Sequence, residues 1–312
     1  MDYLAFLLLG LAAVVWATRL ALDNAIKIAR HYRVSDFFIG VALLAVGSDL
    51  PEIVVSVNAA LRNLTGGDTS NFIVGNALGS CFGQFGLVMG VAGLMGHLTM
   101  PQRYVKRHGI MLLASMLLLF VIGLDGQVSR VEGLVLVVTF GLYVFFLFSE
   151  EGAMDKTRAR PLGDGWKIWL GLVAGLAVIV GGSEVIVRSA LGLAEHWNVD
   201  QSFVGIVIVG VGTSLPELSI SIGAMLKSRA SMSVGNLVGS NVLDVLLPIG
   251  LASLIAPLGF DVGLLFFDLP ALFLLTVLVM VFFLRHRGLQ RGEAMVLLFA
   301  FSGYVLTKMF QA

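Results

Sequence analysis

Long apolar segments alternate with short polar clusters along the whole chain. Between the clusters lie about ten segments of roughly 20 mostly apolar residues, the length at which a helix crosses a bilayer. The pattern therefore predicts an all-α polytopic membrane protein with about ten transmembrane helices. Their predicted bounds are Leu4–Ala25, Asp36–Ala60, Asn71–Leu94, His108–Leu124, Val131–Phe148, Trp166–Leu193, Gln201–Leu226, Met232–Leu254, Val262–Leu284 and Gly292–Lys308.

Composition agrees with this fold class. Hydrophobic residues make up 58% of the 312 positions and charged residues only 13%, whereas roughly a quarter of the residues in a soluble protein are charged. The formal net charge is zero, which gives no indication of a nucleic-acid partner. The single cysteine, Cys81, excludes a disulfide within the chain and a cysteine-rich metal site. The N-terminus lacks a basic stretch, so we expect a first membrane helix there and not a cleaved signal.

Basic residues lie mainly in the odd-numbered loops between the predicted helices, whereas the even-numbered loops hold only Arg62 and Arg130. Because Lys and Arg mark cytoplasmic loops, we expect the odd-numbered loops in the cytoplasm and both termini outside. The basic residues of the odd-numbered loops are Lys27, Arg30, Arg33, Arg103, Lys106, Arg107, Lys156, Arg158, Arg160, Lys227, Arg229, Arg285, Arg287 and Arg291.

Two segments of the first half return in the second half. "FIGVALLAVGSDLPEIVVSV" aligns with "FVGIVIVGVGTSLPELSISI", and "VGNALGSCFGQ" aligns with "VGNLVGSNVLD". The matches include Gly, Asn, Ser, Pro and Glu, which apolar segments do not favour by default. We therefore predict a first five-helix repeat in residues 1–149, a cytoplasmic linker in 150–165 and a second repeat in 166–312. Because each repeat has an odd number of helices, the two must be inverted, an arrangement that places binding sites at the midplane and supports alternating access.

The repeated motif contains a helix breaker. Pro51 has no N–H, and its ring clashes with the carbonyl of Gly47, four residues back. We expect this break to free backbone carbonyls around Ala45–Gly47, and the second copy to do the same at Gly210–Gly212. Freed carbonyls within a bilayer need partners from protein, water or an ion.

Carboxylates surround the same break. Asp49, Glu52, Glu217 and Asp244 would each cost roughly 2.5–3.5 kcal/mol at mid-membrane, and their four predicted helices contain no Lys or Arg. Protons or cations must therefore neutralise them. Carboxylate, hydroxyl and carbonyl oxygens are the hard ligands that such cations prefer.

These motifs resemble the paired signatures of a known transporter family. "GSDLPE" with "GNALGSCFGQ" and "GTSLPE" with "GNLVGSNVLD" are similar to the two signature repeats of prokaryotic-type sodium/calcium exchangers, within the calcium:cation antiporter superfamily. The resemblance implies ten helices in two inverted groups, with long first and sixth helices that slide across a compact core. It implies exchange of calcium for sodium across a bacterial or archaeal plasma (inner) membrane, with no cofactor and no protein partner.

The resemblance also implies a set of ion ligands. Glu52 and Glu217 would hold calcium at the centre, and the remaining ligands are Ser48 and Thr213 beside them, Ala45, Asp49 and Ser80 at one flanking sodium site, Gly210, Ser214 and Ser240 at the other, and Gln84 with Asp244 in the middle. The chain departs from the family pattern where Asp49 replaces the usual Ser, Gln84 the usual Asn and Ser48 the common Thr.

Asp49 leaves an alternative open. Two acids as close as Asp49 and Glu52 cannot both ionise cheaply without a cation between them, so proton coupling with altered ion selectivity is the competing hypothesis. Gly79 and Gly239 stand where the proton-coupled branch typically carries an acid, which argues against that branch. A passive channel is less favoured because channels usually build their pore by oligomeric symmetry. An enzyme is not expected, since the chain has no HExxH motif and no catalytic acid pair outside the ion site.

Asp268 and the histidines give weaker indications of function. Asp268 precedes Pro270 and is either a functional acid or a cap near a kink. The five histidines are expected at or near loops, exposed to solvent.

Overall fold

The computed structural model describes residues 2–64, 66, 69–151, 165–196 and 214–311. The described part is almost entirely helical, with four two-residue strands. The helices of the first half are α1 (Asp2–Tyr32), α2 (Asp36–Ile39), α3 (Val46–Ser48), α4 (Leu50–Asn63), α5 (Ser70–Phe82), α6 (Met89–Met95), α7 (Gln102–Ile122) and α8 (Arg130–Glu151). The helices of the second half are α9 (Gly165–His196), α10 (Leu215–Leu226), α11 (Ala230–Ile255), α12 (Leu269–His286) and α13 (Arg291–Gln311).

Most of the predicted spans are present. Eight described helical segments are long and apolar enough to cross a membrane, and the bent pair of segments Asp36–Ser48 and Leu50–Asn63 makes nine. The remaining predicted span, Gln201–Leu226, is represented by the short apolar helix α10, and its upstream part lies outside the described residues. The predicted fold class is therefore confirmed.

The helix break predicted at Pro51 is also present. The chain bends by 43° between the two segments on either side of Asp49, and Pro51 lies in the first turn of α4. The structure adds irregularities that the sequence pattern did not predict: three π-helical segments, at Gly40–Ala45, Gly83–Val88 and Leu264–Asp268.

Two small sheets connect the halves of the chain. Strand β1 (Leu98–Thr99) pairs antiparallel with β4 (Gly288–Leu289), and β2 (Gln127–Val128) pairs antiparallel with β3 (Leu258–Gly259). Each sheet thus takes one strand from each half. The two sheets also have equivalent registers. Leu98 pairs with Leu289 in one sheet, and Leu258, the repeat equivalent of Leu98, pairs with Val128 in the other.

Contacts between equivalent residues reveal a pseudo-two-fold axis. Gln84 donates a hydrogen bond to Asp244 and Cys81 to the carbonyl of Asn241, and both pairs are separated by the same 160 positions along the chain. Residues related by a two-fold axis touch each other only where they lie on it. The axis therefore passes between α5 and α11, as expected for two inverted repeats.

Helices α1 and α9 form an antiparallel pair through small residues. Gly182 of α9 faces Val14 of α1, while Gly175, half-way towards the other end of α9, faces Ala21. Both helices are longer than their predicted spans, as the family resemblance implies.

The most buried helix of the described part is α11. Nearly every side chain from Met232 to Ser253 is buried, because α11 packs against α2, α4, α5, α7 and α8 at once. The core of the molecule therefore surrounds α11.

One expectation about the histidines is wrong. His108 is 1% exposed and packs against the rings of Phe37 and Tyr143. The reason is that α7 begins at Gln102, six residues before the predicted start, so His108 lies inside the helix and not in a loop.

Candidate ion-binding site

Two helix starts bring the acidic motifs into the core. Helix α4 begins at Leu50 with Glu52 in its first turn, and α10 begins at Leu215 with Glu217 in its first turn. A proline occupies the first turn of both helices, where its missing N–H breaks no intrahelical hydrogen bond. The same local sequence thus produces the same helix start in both halves.

Close packing of backbones brings α11 against the broken helix. A Cβ at Gly239 would lie 2.8 Å from the Cα of Val41 and 3.0 Å from the Cβ of Ala45. Gly235 lies equally close to the backbone of Phe37. Small residues allow such approaches between membrane helices, and here they place Ser240 beside Asp49.

Asp49 lies at the centre of a cluster of oxygen atoms. Its Oδ1 accepts hydrogen bonds from Ser240 Oγ at 2.9 Å and from Ser48 Oγ at 3.2 Å. Asp49, Ser48 and Ser240 are all fully buried. The cluster joins both halves, because Ser240 comes from the second repeat.

The hydrogen bond between Ser240 and Asp49 pairs these residues differently from the flanking sites that the family resemblance implies. The expectation grouped Asp49 with Ser80 and Ser214 with Ser240, whereas Asp49 binds Ser240. Ser214 lies instead at Gly83, on the segment that carries Ser80, where a Cβ would lie 2.7 Å from Ser214 Oγ. The physical reason is that α11 packs alongside the broken helix of the opposite repeat.

A second polar cluster lies on the pseudo-two-fold axis. Gln84 Nε2 donates to Asp244 Oδ2 at 2.8 Å, and Asn241 Nδ2 donates to Gln84 Oε1 at 2.7 Å and to the carbonyl of Leu237 at 2.8 Å. Gln84 and Asp244 meet as predicted. The sequence analysis did not predict Asn241 as a site residue, since its contact with Gln84 depends on packing between the halves.

The four carboxylates are buried together. Asp49, Glu217 and Asp244 are 0% exposed and Glu52 is 4% exposed, and the four are close enough to interact electrostatically. Among the described residues, none of them forms an ion pair with a Lys, Arg or His. The negative charges therefore have no basic partner in this part of the chain.

Several oxygens of these carboxylates have no hydrogen-bond donor among the described residues. They are Asp49 Oδ2, Glu52 Oε2, both oxygens of Glu217, Asp244 Oδ1 and, beside them, Ser80 Oγ. Buried polar atoms are normally satisfied, so a cluster of exceptions needs an explanation. No set of three or more His, Cys, Asp or Glu side chains in the described part has the arrangement of a metal centre, and any cation here would also need hydroxyl and carbonyl oxygens.

One predicted free carbonyl is engaged. The Ala45 carbonyl accepts from the backbone N–H of Asp49 at 3.0 Å. It also lies 3.2 Å from Ser48 Oγ, whose single proton can be donated either to this carbonyl or to Asp49 Oδ1. The expectation of free carbonyls is therefore wrong at Ala45, because the helical hydrogen bond survives on the N-terminal side of Pro51. Gly210 and Thr213 of the predicted ligand set lie outside the described residues.

Comparisons with known proteins agree with this architecture. The family model for sodium/calcium exchanger protein matches residues 3–149 and 167–310. The putative antiporter CaxA of Alkalimonas amylolytica is 30% identical over 96% of both chains. The sodium/calcium exchanger MaX1 of Methanosarcina acetivorans is 28% identical, again over 96% of both chains.

Solved structures give the same result. A structure of the sodium-calcium exchanger NCX_Mj superimposes with a TM-score of 0.85 over 97% of both chains, at 26% sequence identity. A matching family model that covers both halves, a shared fold and a buried carboxylate cluster between inverted repeats together identify the chain as a member of the sodium/calcium exchanger family, whose members are membrane cation antiporters.

Proposed function

We propose that the protein exchanges calcium for sodium by alternating access, with the ions bound near mid-membrane. The observation that carries the proposal is the group of buried carboxylate oxygens without donors at Glu52, Glu217, Asp49 and Asp244. A buried carboxylate without a partner is strongly destabilising, by about 3–5 kcal/mol. Bound cations remove this cost and are then the cargo of the exchanger.

Glu52 and Glu217 hold calcium at the centre in this proposal. They occupy equivalent positions in the two repeats and interact with each other across the axis. Calcium prefers several oxygen ligands that include carboxylates. Ser48 and Thr213 would add oxygen ligands to this centre, and Ala45, Gly210, Ser80, Ser214 and Ser240 would serve the flanking sodium sites.

The names of related proteins support the choice of ions. MaX1 and NCX_Mj are named sodium/calcium exchangers, and NCX_Mj crystals were soaked with sodium and with calcium or strontium. We further propose the plasma membrane of a bacterium or archaeon as the location, with the odd-numbered loops in the cytoplasm and both termini outside. The two repeats would then be residues 1–149 and 166–312, joined by a cytoplasmic linker at 150–165.

Calcium uptake into proteoliposomes tests the proposal. Vesicles loaded with sodium should take up calcium only while the sodium gradient lasts. Glu52→Gln and Glu217→Gln should each reduce uptake at least a hundredfold while the protein still folds. Asp125→Asn, which neutralises an exposed loop acid, should leave uptake unchanged.

A proton ionophore distinguishes calcium/sodium exchange from the main alternative, divalent cation/proton antiport. If the protein is a divalent cation/proton antiporter, the ionophore should abolish uptake and the sodium gradient should not matter. Calcium uptake that survives collapse of the sodium gradient would contradict the proposed exchange.

A further inference from the structure

The two flanking positions of the site are chemically unequal. The pseudo-two-fold axis relates Asp49 to Ser214 and Ser240 to Ser80. The hydrogen bond between Ser240 and Asp49 has no counterpart at Ser80 among the described residues. One copy carries a carboxylate and the other a hydroxyl at the same position. The inference below rests on the proposed function and concerns the order in which sodium fills these positions.

The Asp49 position offers oxygen atoms in a suitable arrangement. Asp49 Oδ1 lies 2.9 Å from Ser240 Oγ and 3.2 Å from Ser48 Oγ, and Asp49 Oδ2 has no donor among the described residues. Each hydroxyl has two lone pairs and a proton that can rotate away. All three side chains can therefore turn oxygen lone pairs towards one small cation.

The symmetry-related position, at Ser214 and Ser80, lacks the negative charge that Asp49 supplies. Ser214 Oγ lies against Gly83, and Ser80 Oγ is buried with no partner among the described residues. The described side chains here supply hydroxyl oxygens only. A cation in this position would have to rely on Glu52 and Glu217 for its charge compensation.

The middle position does not substitute for Asp49. The hydrogen bond to the Leu237 carbonyl fixes the orientation of the Asn241 amide, because only its NH₂ group can donate to a carbonyl. This NH₂ group also faces Gln84, so Gln84 must accept through its amide oxygen. The NH₂ group of Gln84 then points at Asp244 Oδ2. An amide NH₂ repels a cation, so this hydrogen bond blocks one oxygen of the Asp244 carboxylate.

We propose that Asp49 makes the position it shares with Ser48 and Ser240 the high-affinity sodium position, so that sodium fills it before the Ser214–Ser80 position. A second calcium ion is disfavoured there, because the single carboxylate of this cluster compensates only one positive charge. Sodium binding should therefore occur in two separable steps.

Thermal stabilisation by sodium alone, in calcium-free detergent solution at constant ionic strength, tests the inference. The wild-type protein should show two phases as sodium increases. Asp49→Ser and the isosteric Asp49→Asn should remove the first phase and raise the half-saturating sodium concentration at least tenfold. Asp125→Ser, which removes an exposed carboxylate outside the site, should leave both phases in place.

Moving the carboxylate gives the decisive comparison. The double variant Asp49→Ser with Ser214→Asp places the carboxylate at the symmetry-related position and should restore two-phase sodium binding. A merely structural role of Asp49 predicts no such rescue, and failure of the rescue in a folded protein would overturn the inference.

Two further outcomes have different meanings. A sodium response of the wild type that Asp49→Asn leaves unchanged, or equilibrium binding of two calcium ions per chain, would overturn the inference alone. A wild-type protein that calcium stabilises and sodium does not would instead overturn the proposed exchange itself.

Discussion

Asp268 and Lys308 show how a single residue can secure a whole helix. Asp268 is completely buried in the π-helical segment before α12, and its carboxylate accepts from Lys308 Nζ and Tyr304 Oη of α13, each at 2.8 Å. The ring of Tyr304 stacks on Phe82 of α5 at 3.7 Å between centroids. Of the two roles left open for Asp268, a cap near the kink is not supported, because its side chain makes no capping hydrogen bond. Its oxygens attach the last helix to the core instead.

The two partners should respond unequally to mutation. Lys308→Met leaves a buried carboxylate without its cation and should destabilise the protein by about 3–5 kcal/mol. Asp268→Asn should cost less, because the Lys308 side chain is 36% exposed and can extend towards the membrane surface. Thermal unfolding of both single variants and of the double variant Asp268→Asn with Lys308→Met measures this difference.

The double variant is the control for this pair. It removes both charges and should be more stable than Lys308→Met alone. Equal and additive losses from the two single variants would show that the residues do not depend on each other.

At the same residue scale, the sequence was informative about which polar side chains are buried together in the core but not about their grouping. Repeat alignment identifies Ser80 and Ser240 as equivalent, and it cannot say which of them meets Asp49. That choice depends on the approach of α11 to Val41 and Ala45, a long-range packing contact. Asn241 was missed as a site residue for the same reason.

At the scale of helices, hydrophobic segment length predicted the spans well because a bilayer imposes about 20 apolar residues on each of them. Pro51 predicted the break because proline has no N–H to donate and its ring clashes with the carbonyl four residues before it. The π-helical segments were not predicted, since Gly40–Ala45 and Gly83–Val88 contain no residue type that specifies one extra residue per turn.

Close contact between α11 and the broken helix should be sensitive to a single methyl group. Gly239→Ala adds a Cβ where Val41 Cα is only 2.8 Å away, and overpacking of this kind costs about 1–3 kcal/mol. The variant should have a lower unfolding temperature and weaker stabilisation by sodium, because Ser240 moves away from Asp49. Thermal unfolding with and without sodium gives both quantities.

Gly303 of α13 is the matched control. A Cβ there meets no described atom within 4 Å, and alanine favours the helix over glycine by about 1 kcal/mol. Gly303→Ala should therefore leave stability unchanged or raise it. A loss equal to that of Gly239→Ala would contradict the explanation by close contact, because an added methyl group at Gly303 meets no described atom.

At the scale of the whole molecule, the two small sheets mark opposite faces of the membrane. Thr99 lies in the sheet formed by β1 and β4, and Gln127 in the sheet formed by β2 and β3. Both side chains are exposed, and the native cysteine, Cys81, is buried. Introduced cysteines can therefore be labelled without interference from the native thiol.

Labelling from one side should distinguish the two positions. A membrane-impermeant thiol reagent added to intact cells should modify Gln127→Cys and not Thr99→Cys, with the opposite result in inverted vesicles. The wild-type protein should stay unlabelled in both preparations. Labelling of both variants from the same side would contradict a membrane crossing by α7, which connects the two strands.

The hydrogen bond between Asp49 and Ser240 has a consequence for the history of the molecule. Duplication of one gene is the simplest origin of two inverted copies, and the oxygen cluster around Asp49 takes atoms from both of them. A single-copy ancestor could have assembled such a cluster only by inserting into the bilayer in both directions and pairing with its own oppositely oriented twin. Dual insertion would then have preceded gene fusion, and the difference between Asp49 and Ser214 could have arisen only once duplication gave the two copies separate sequences.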